Sequence, residues 1–198
     1  MGRLICICLI VTQLTGCAMI SAVAAIPAAL VDGMMGSFQS QEKTLPVSMD
    51  VSLAAVQKGL QKADMAVDIL EPLEGEYFIA FGNNTLDGWM EMSRQTSSLT
   101  SVYIKIRKGV FRERAIEETV LDVIHEIALG LDDKARFDFS AYGQIFKQAD
   151  VSSDRVGWYR FGALLKIEAG DDKAWQVVTM PSGASAYLPS EVLAKKAR

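Results

Sequence analysis

The chain has 198 residues, with 20 Lys and Arg, 24 Asp and Glu, one His and three Cys, for a net charge of −4. That length fits one moderate domain or two small ones. A near-balanced charge, read as lacking a basic patch or an arginine-rich tract, argues against a nucleic-acid partner. One histidine, and cysteines confined to positions 6, 8 and 17, exclude a His-pair metal centre and leave no disulfide framework for the remaining chain.

The first element is a secretory leader. Arg3 supplies a positive head, and residues 4–11 are uninterrupted apolar side chains or cysteine, the layout of a signal peptide. The run ends in Leu14-Thr15-Gly16-Cys17, which resembles the lipobox of bacterial lipoproteins. The resemblance implies cleavage before Cys17, acylation of its thiol, and a mature chain that begins there. An uncleaved spanning helix over residues 4–31 is the alternative, since that stretch has no charged side chain. Gly16 and Pro27 interrupt it, and Gln13 and Thr15 lie near its middle, so the cleaved form is the expectation. Each buried acyl methylene contributes roughly 0.8 kcal/mol, and two chains give stable anchoring. Residues 1–16 are therefore the expected signal peptide, and residues 17–40 the lipidated Cys17 with an Ala-rich tether or a short helix packed on the domain. Cys6 and Cys8 leave with the leader, so the mature fold is held by packing without cofactor or metal.

Residues 41–130 form the first expected folded segment. Residues 42–49 begin as a strand. Asp50 reads as an N-cap, with Leu53, Val56 and Leu60 on one helical face. Three strands follow: Tyr77-Phe78-Ile79-Ala80-Phe81, then Trp89-Met90-Glu91-Met92-Ser93-Arg94 after the turn residues Asn83-Asn84 and Asp87-Gly88, then the alternating Val102-Tyr103-Ile104-Lys105-Ile106-Arg107. A helix over 113–129 presents Ile116, Val120, Ile124 and Ile127, with Gly130 as its stop. A lipobox, the tether, the Asp50-capped helix, the Gly88-Trp89 hairpin strand and the Gly109-x-Phe111 approach to a closing helix together resemble the bacterial lipoproteins of domain-of-unknown-function family 3568. That family carries no established activity to this chain.

Residues 137–198 form the second segment, with strands expected around Gly143-Gln144-Ile145-Phe146-Lys147, Gly162-Ala163-Leu164-Leu165-Lys166-Ile167, Trp175-Gln176-Val177-Val178, Ala186-Tyr187-Leu188 and Val192-Leu193. Turn residues separate them: Val151-Ser152-Ser153-Asp154, Gly170-Asp171-Asp172-Lys173 and Pro181-Ser182-Gly183. Short strands at this spacing indicate a small barrel or sandwich. Gly162, Trp175-Gln176-Val177, Gly183 and Tyr187-Leu188 resemble a bacterial Src-homology-3-like domain, although its Asn-Val-Arg start is missing and Ala186 stands where that family has glycine. The expected fold class is α+β: a small β-α-β-β-β-α domain, then a small all-β barrel of Src-homology-3-like type.

Nothing in this sequence has the spacing of a hydrolase elbow, a phosphate loop or a dinucleotide fingerprint. His125 is expected on the exposed face of the second helix. Asp132-Asp133 and Asp171-Asp172 lack the alternation of a calcium loop. Two binding surfaces remain. Val102, Ile104 and Ile106 should face the helices, so Tyr103, Lys105 and Arg107 face away, beside Trp89 or Met90; this second face either packs on the following segment or receives a partner. In the second segment Trp158, Tyr159, Trp175 and Tyr187 line a groove, unless Trp175 belongs to the core. The expectation is a non-catalytic, lipid-anchored binding, tethering or adaptor module on the periplasmic side of a bacterial membrane, contacting an envelope protein or the peptidoglycan. Ala18 after the lipidated cysteine favours the outer membrane in a two-membrane host. The alternatives are a structural subunit of an envelope complex and a glycan-cleaving enzyme built on acidic residues.

Overall fold

The apolar positions of the first segment divide into helical stripes and alternating strands, and the computed structural model shows how these stack. It describes residues 41–169 and 173–190; the leader, Cys17, the tether, Val192 and Leu193 lie outside the described residues. Strand β1 (Gln41–Leu45) leads to helix α1 (Met49–Lys62), then to β2 (Ala66–Leu73), β3 (Glu76–Gly82), β4 (Asp87–Thr96), β5 (Leu99–Lys108) and the short β6 (Phe111–Arg112). Helix α2 (Arg114–Gly130) follows, and then β7 (Tyr142–Phe146), β8 (Arg155–Arg160), β9 (Ile167–Ala169), β10 (Trp175–Thr179) and β11 (Ser185–Pro189).

Among the described residues the strands make one antiparallel sheet, in the order β1-β5-β4-β3-β2-β8-β7-β11-β10-β9, with β6 beside β5. The fold is thus mixed, two helices against a large sheet. Both helices lie on one face of β1 to β5. Leu53, Val56 and Leu60 of α1 and Val120, Leu121 and Ile124 of α2 share a core with Ile79, Met90, Val102, Ile104 and Ile106. A second core gathers Ile69 of β2 with Ile145, Tyr159, Val178, Met180, Ala186 and Leu188.

The two expected segments meet at β2, which pairs with β3 on one edge and with β8 on the other, Ile69 opposite Tyr159 and Leu70 opposite Trp158. Gly157 makes the close approach feasible: a Cβ there would stand 2.8 Å from the Leu70 carbonyl oxygen. The Glu71 carboxylate, buried on the same strand, accepts the Ser182 amide at 2.9 Å and the Ser182 hydroxyl at 2.7 Å. The linker is equally tied. The Gln57 side chain donates to the Asp138 carbonyl at 2.9 Å and accepts the Asp138 amide at 2.8 Å.

Several sequence expectations change. The first segment has a strand over Ala66–Leu73 that the β-α-β-β-β-α reading omits. Asp68, Glu71 and Pro72 break its alternation, and a register shift between Val67 and Ile69 reverses the buried side partway along. Ser48, not Asp50, precedes the first helical residue, and Asp50 sits in the first turn. The strand expected over 162–167 is mostly irregular, with Leu164 exposed and only Ile167–Ala169 paired. Its place is taken by β8, directly after the loop read at 151–154.

Helix α2 is locked to β5 and β6 by Glu117, whose side chain is 0% exposed. Its carboxylate accepts the Ile106 amide at 2.9 Å and a two-nitrogen contact from Arg112, Nε at 2.8 Å and Nη2 at 2.7 Å. That hydrogen bonding raises the Arg112 pKa further. Removing one partner of a buried pair strands the other. Glu117→Ala is expected to lower unfolding free energy by about 3 kcal/mol and Glu117→Gln by less, read as urea midpoints.

Candidate functional site

The helices cover one face of β1, β5 and β4, and period-two alternation puts the intervening side chains on the other. Trp89 lies opposite Lys105, and Glu91 opposite Tyr103, which in turn pairs with Glu42 on β1. Trp89, Glu91, Tyr103 and Lys105 are half-buried and Glu42 is exposed. Met90, offered as an alternative neighbour, points into the helical core. The Tyr103 hydroxyl bonds the Glu42 carboxylate, which pushes the phenol pKa up, helped by burial and by Glu42 and Glu91 charge. Burial, and then Glu76, raises the Glu91 carboxyl. The result is a strip with an aromatic ring, an ammonium and carboxylates in adjacent registers, able to stack on one part of a ligand while pairing with its charges. Farther along this face, Ile69 and Ala80 are covered by the second core, so the face is shared between internal packing and solvent.

The four C-terminal aromatics do not line one groove. Trp158 faces the helical core, stacked on Phe139 at 4.7 Å between ring centroids, with the Arg155 guanidinium 4.3 Å above it. Tyr159 points the opposite way and is 2% exposed, inside the second core. Trp175, 9% exposed, meets Phe146 edge-on at 6.0 Å. Half-buried Tyr187 shares the Trp175 face, opposite Val177 and Phe146. Alternation along β8 separates Trp158 from Tyr159, and that alone dissolves the expected groove.

Sequence reasoning missed a polar cleft of about 540 Å³ lined by Gln61 at the end of α1, Asp64, Met65 and Ala66, the β3–β4 turn with Asn83, Asn84 and Thr85, and Arg160 at the end of β8. Asn83 builds its rim. Its side-chain oxygen accepts the Thr85 and Leu86 amides at 2.9 and 2.8 Å, while its amide donates to the Asp64 carbonyl at 3.0 Å. A smaller recess of about 100 Å³ continues past Gln61 and Arg160 to Gln57, Asp138 and Tyr142. Arg160 Nη2 donates to Asp68 at 2.7 Å, and its buried Nε has no partner among the described residues. Amides and a guanidinium suit a ligand rich in hydroxyl, amide or carboxylate groups. The signal in the sequence is Arg160, directly after Trp158-Tyr159. Asn83-Asn84 read only as a turn.

His125 is half-buried rather than exposed. Among the described residues no three His, Cys, Asp or Glu side chains converge to hold a metal ion, and no helix is long and apolar enough to cross a membrane. The reading of charge without a basic patch also needs correction: residues 105–114 hold five basic side chains and one acidic, a net of +4 in a chain of −4. A strand and a hairpin intersperse them with the apolar Ile106, Val110 and Phe111, so they form no continuous basic run. No protein-family model matches the chain, and no curated protein matches it in sequence.

Two measurements test this geometry. The Tyr159 hydroxyl is buried without a partner among the described residues, and burial pushes its pKa up. Tyr159→Phe is therefore expected to raise stability by about 1 kcal/mol in thermal unfolding, where a groove-lining residue would leave it unchanged. Burial outweighs Arg160 at Asp68 and holds its carboxyl above the ordinary aspartate value. A folded-state pKa above the unfolded one gives a stability contribution present below the unfolded pKa and lost as pH rises through the folded one. Carbon-13 titration of the Asp68 carboxyl is expected to show the raised midpoint, and Asp68→Asn to remove that pH-dependent loss.

Proposed function

We propose that the protein is a lipid-anchored protein of the bacterial cell envelope, acylated on Cys17 and facing the periplasm from the outer membrane. There it acts as a non-catalytic binding or tethering module for a neighbouring envelope protein or the peptidoglycan. The anchor half of this reading rests on Leu14-Thr15-Gly16-Cys17 following a charged head and an apolar run. The binding half is carried by one observation: Trp89, Tyr103 and Lys105 occupy adjacent registers on a single half-exposed face, with Glu42 and Glu91 among them. Such a mixed strip recognises through stacking and paired charges and requires no bond to be made or broken. The polar cleft beside Arg160 adds a second place where amide- or carboxylate-bearing material can be held.

The finer reading of the last strands as a Src-homology-3-like unit rests on Gly162, Trp175-Gln176-Val177, Gly183 and Tyr187-Leu188.

Fractionation tests the anchor. Wild type is expected in the membrane fraction and Cys17→Ala in the soluble one; equal membrane recovery of both overturns the acylation. A photo-crosslinker replacing Trp89 in intact cells is expected to capture envelope protein or glycan, and the same probe at Asp133, outside this strip, to capture none. Equal capture at both positions removes the strip from the account.

A further inference from the structure

Two of the largest exposed apolar side chains in the described residues are consecutive. Val110 is 87% exposed and Phe111 72% exposed, at the tip of the β5–β6 hairpin. The hairpin pairs Arg107 with Arg112 and Lys108 with Phe111. Its tight turn depends on Gly109, whose φ of +60° favours glycine. Alternation then decides which side chains face inward. Arg112 turns toward the protein and clasps buried Glu117, so its neighbour Phe111 must point to solvent. The exposure is enforced by a buried ion pair at the hairpin's base.

The surroundings are cationic. Arg107 and Lys108 are exposed beside the tip. Asp87 lies near Arg107 at 3.9 Å and Glu117 neutralises Arg112 from inside. Residues 105–114 carry a net charge of +4, and residues outside that segment sum to −8. A bare Val-Phe pair ringed by Arg and Lys matches a bilayer interface with acidic headgroups. The apolar tip enters the acyl boundary while the cations stay with the phosphates. A purely polyanionic partner would leave Val110 and Phe111 without a role.

We propose that the Gly109-Val110-Phe111 hairpin is a membrane-docking finger that inserts into the surface of an anionic phospholipid bilayer. The finger acts independently of acylation at Cys17, because its contacts come from the folded unit alone.

Amide hydrogen exchange on the full chain reconstituted in vesicles tests this, since the readout is local to the hairpin whatever holds the N-terminus. Exchange at Gly109 and Val110 is expected to slow in phosphatidylcholine vesicles containing phosphatidylglycerol, relative to phosphatidylcholine alone. The double variant Val110→Ser, Phe111→Ser is expected to abolish the slowing. Lys108→Glu is expected to weaken the docking by about tenfold or more. Both variants change only exposed side chains, and unaltered thermal unfolding confirms their folding. Unchanged exchange on anionic vesicles overturns the proposal, as does equal slowing on neutral ones. Slowing seen only with envelope proteins or with nucleic acid also overturns it, and assigns the hairpin to that partner instead.

Discussion

Everything in this fold depends on β2 being hydrogen-bonded along both edges. Its partner on one side, β3, comes directly after it in the chain, and its partner on the other, β8, comes from the far segment. Within β2, Val67 and Leu70 belong to the helical core, while Ile69 belongs to the second core. One strand thus supplies side chains to both hydrophobic interiors and joins two sets of strands into one sheet. Gly157 keeps β8 near enough to pair, and the Glu71 carboxylate holds the Ser182 turn over the junction. Because a carboxylate taken out of water is tolerated only when its lone pairs are occupied, the amide and hydroxyl of Ser182 are as necessary to Glu71 as Glu71 is to that turn.

A similar arrangement recurs toward the β1–β5 edge of the sheet. Glu117 is fully enclosed and accepts one backbone amide and a guanidinium. Glu71 links β2 to a turn 111 residues away, Glu117 links α2 to its neighbours β5 and β6, and each sits just beneath a surface turn. Glu71 lies beneath the Ser182 turn, and Glu117 at the base of the β5–β6 hairpin. Buried charge here serves placement, since it makes one arrangement of the turn far better satisfied than its alternatives.

What could be read from the sequence followed physical simplicity. The strand of Val102, Ile104 and Ile106 alternates without interruption, so its inward and outward faces were legible, and with them the grouping of Tyr103, Lys105 and Trp89. The helices were legible from their apolar stripes, although Ser48 rather than Asp50 opens the first. What stayed hidden was set by long-range pairing. No local pattern announces that Ala66–Leu73 is a strand, because its alternation is broken by Asp68, Glu71 and Pro72, and the first two are satisfied only by Arg160 and Ser182, far away in the chain. The loss of a common groove for Trp158 and Tyr159 has the same origin: adjacency in sequence became opposition across a sheet whose course the sequence leaves unstated. Arg160 could be placed in a cleft only once the α1 terminus and the β3–β4 turn had come together around it.

The β2–β8 junction also has a consequence in time. Ile69 and Tyr159 are 90 residues apart in the chain, so a chain that emerges from its N-terminal end presents the second partner well after the first. Through that interval the helices and β1 to β5 can assemble, yet one edge of β2 faces solvent with its amides unclaimed and Ile69 uncovered. An open apolar edge of this kind invites pairing with any extended segment nearby. The second segment therefore serves its neighbour as a cap, and the vulnerable moment in this molecule's life is the wait for β8.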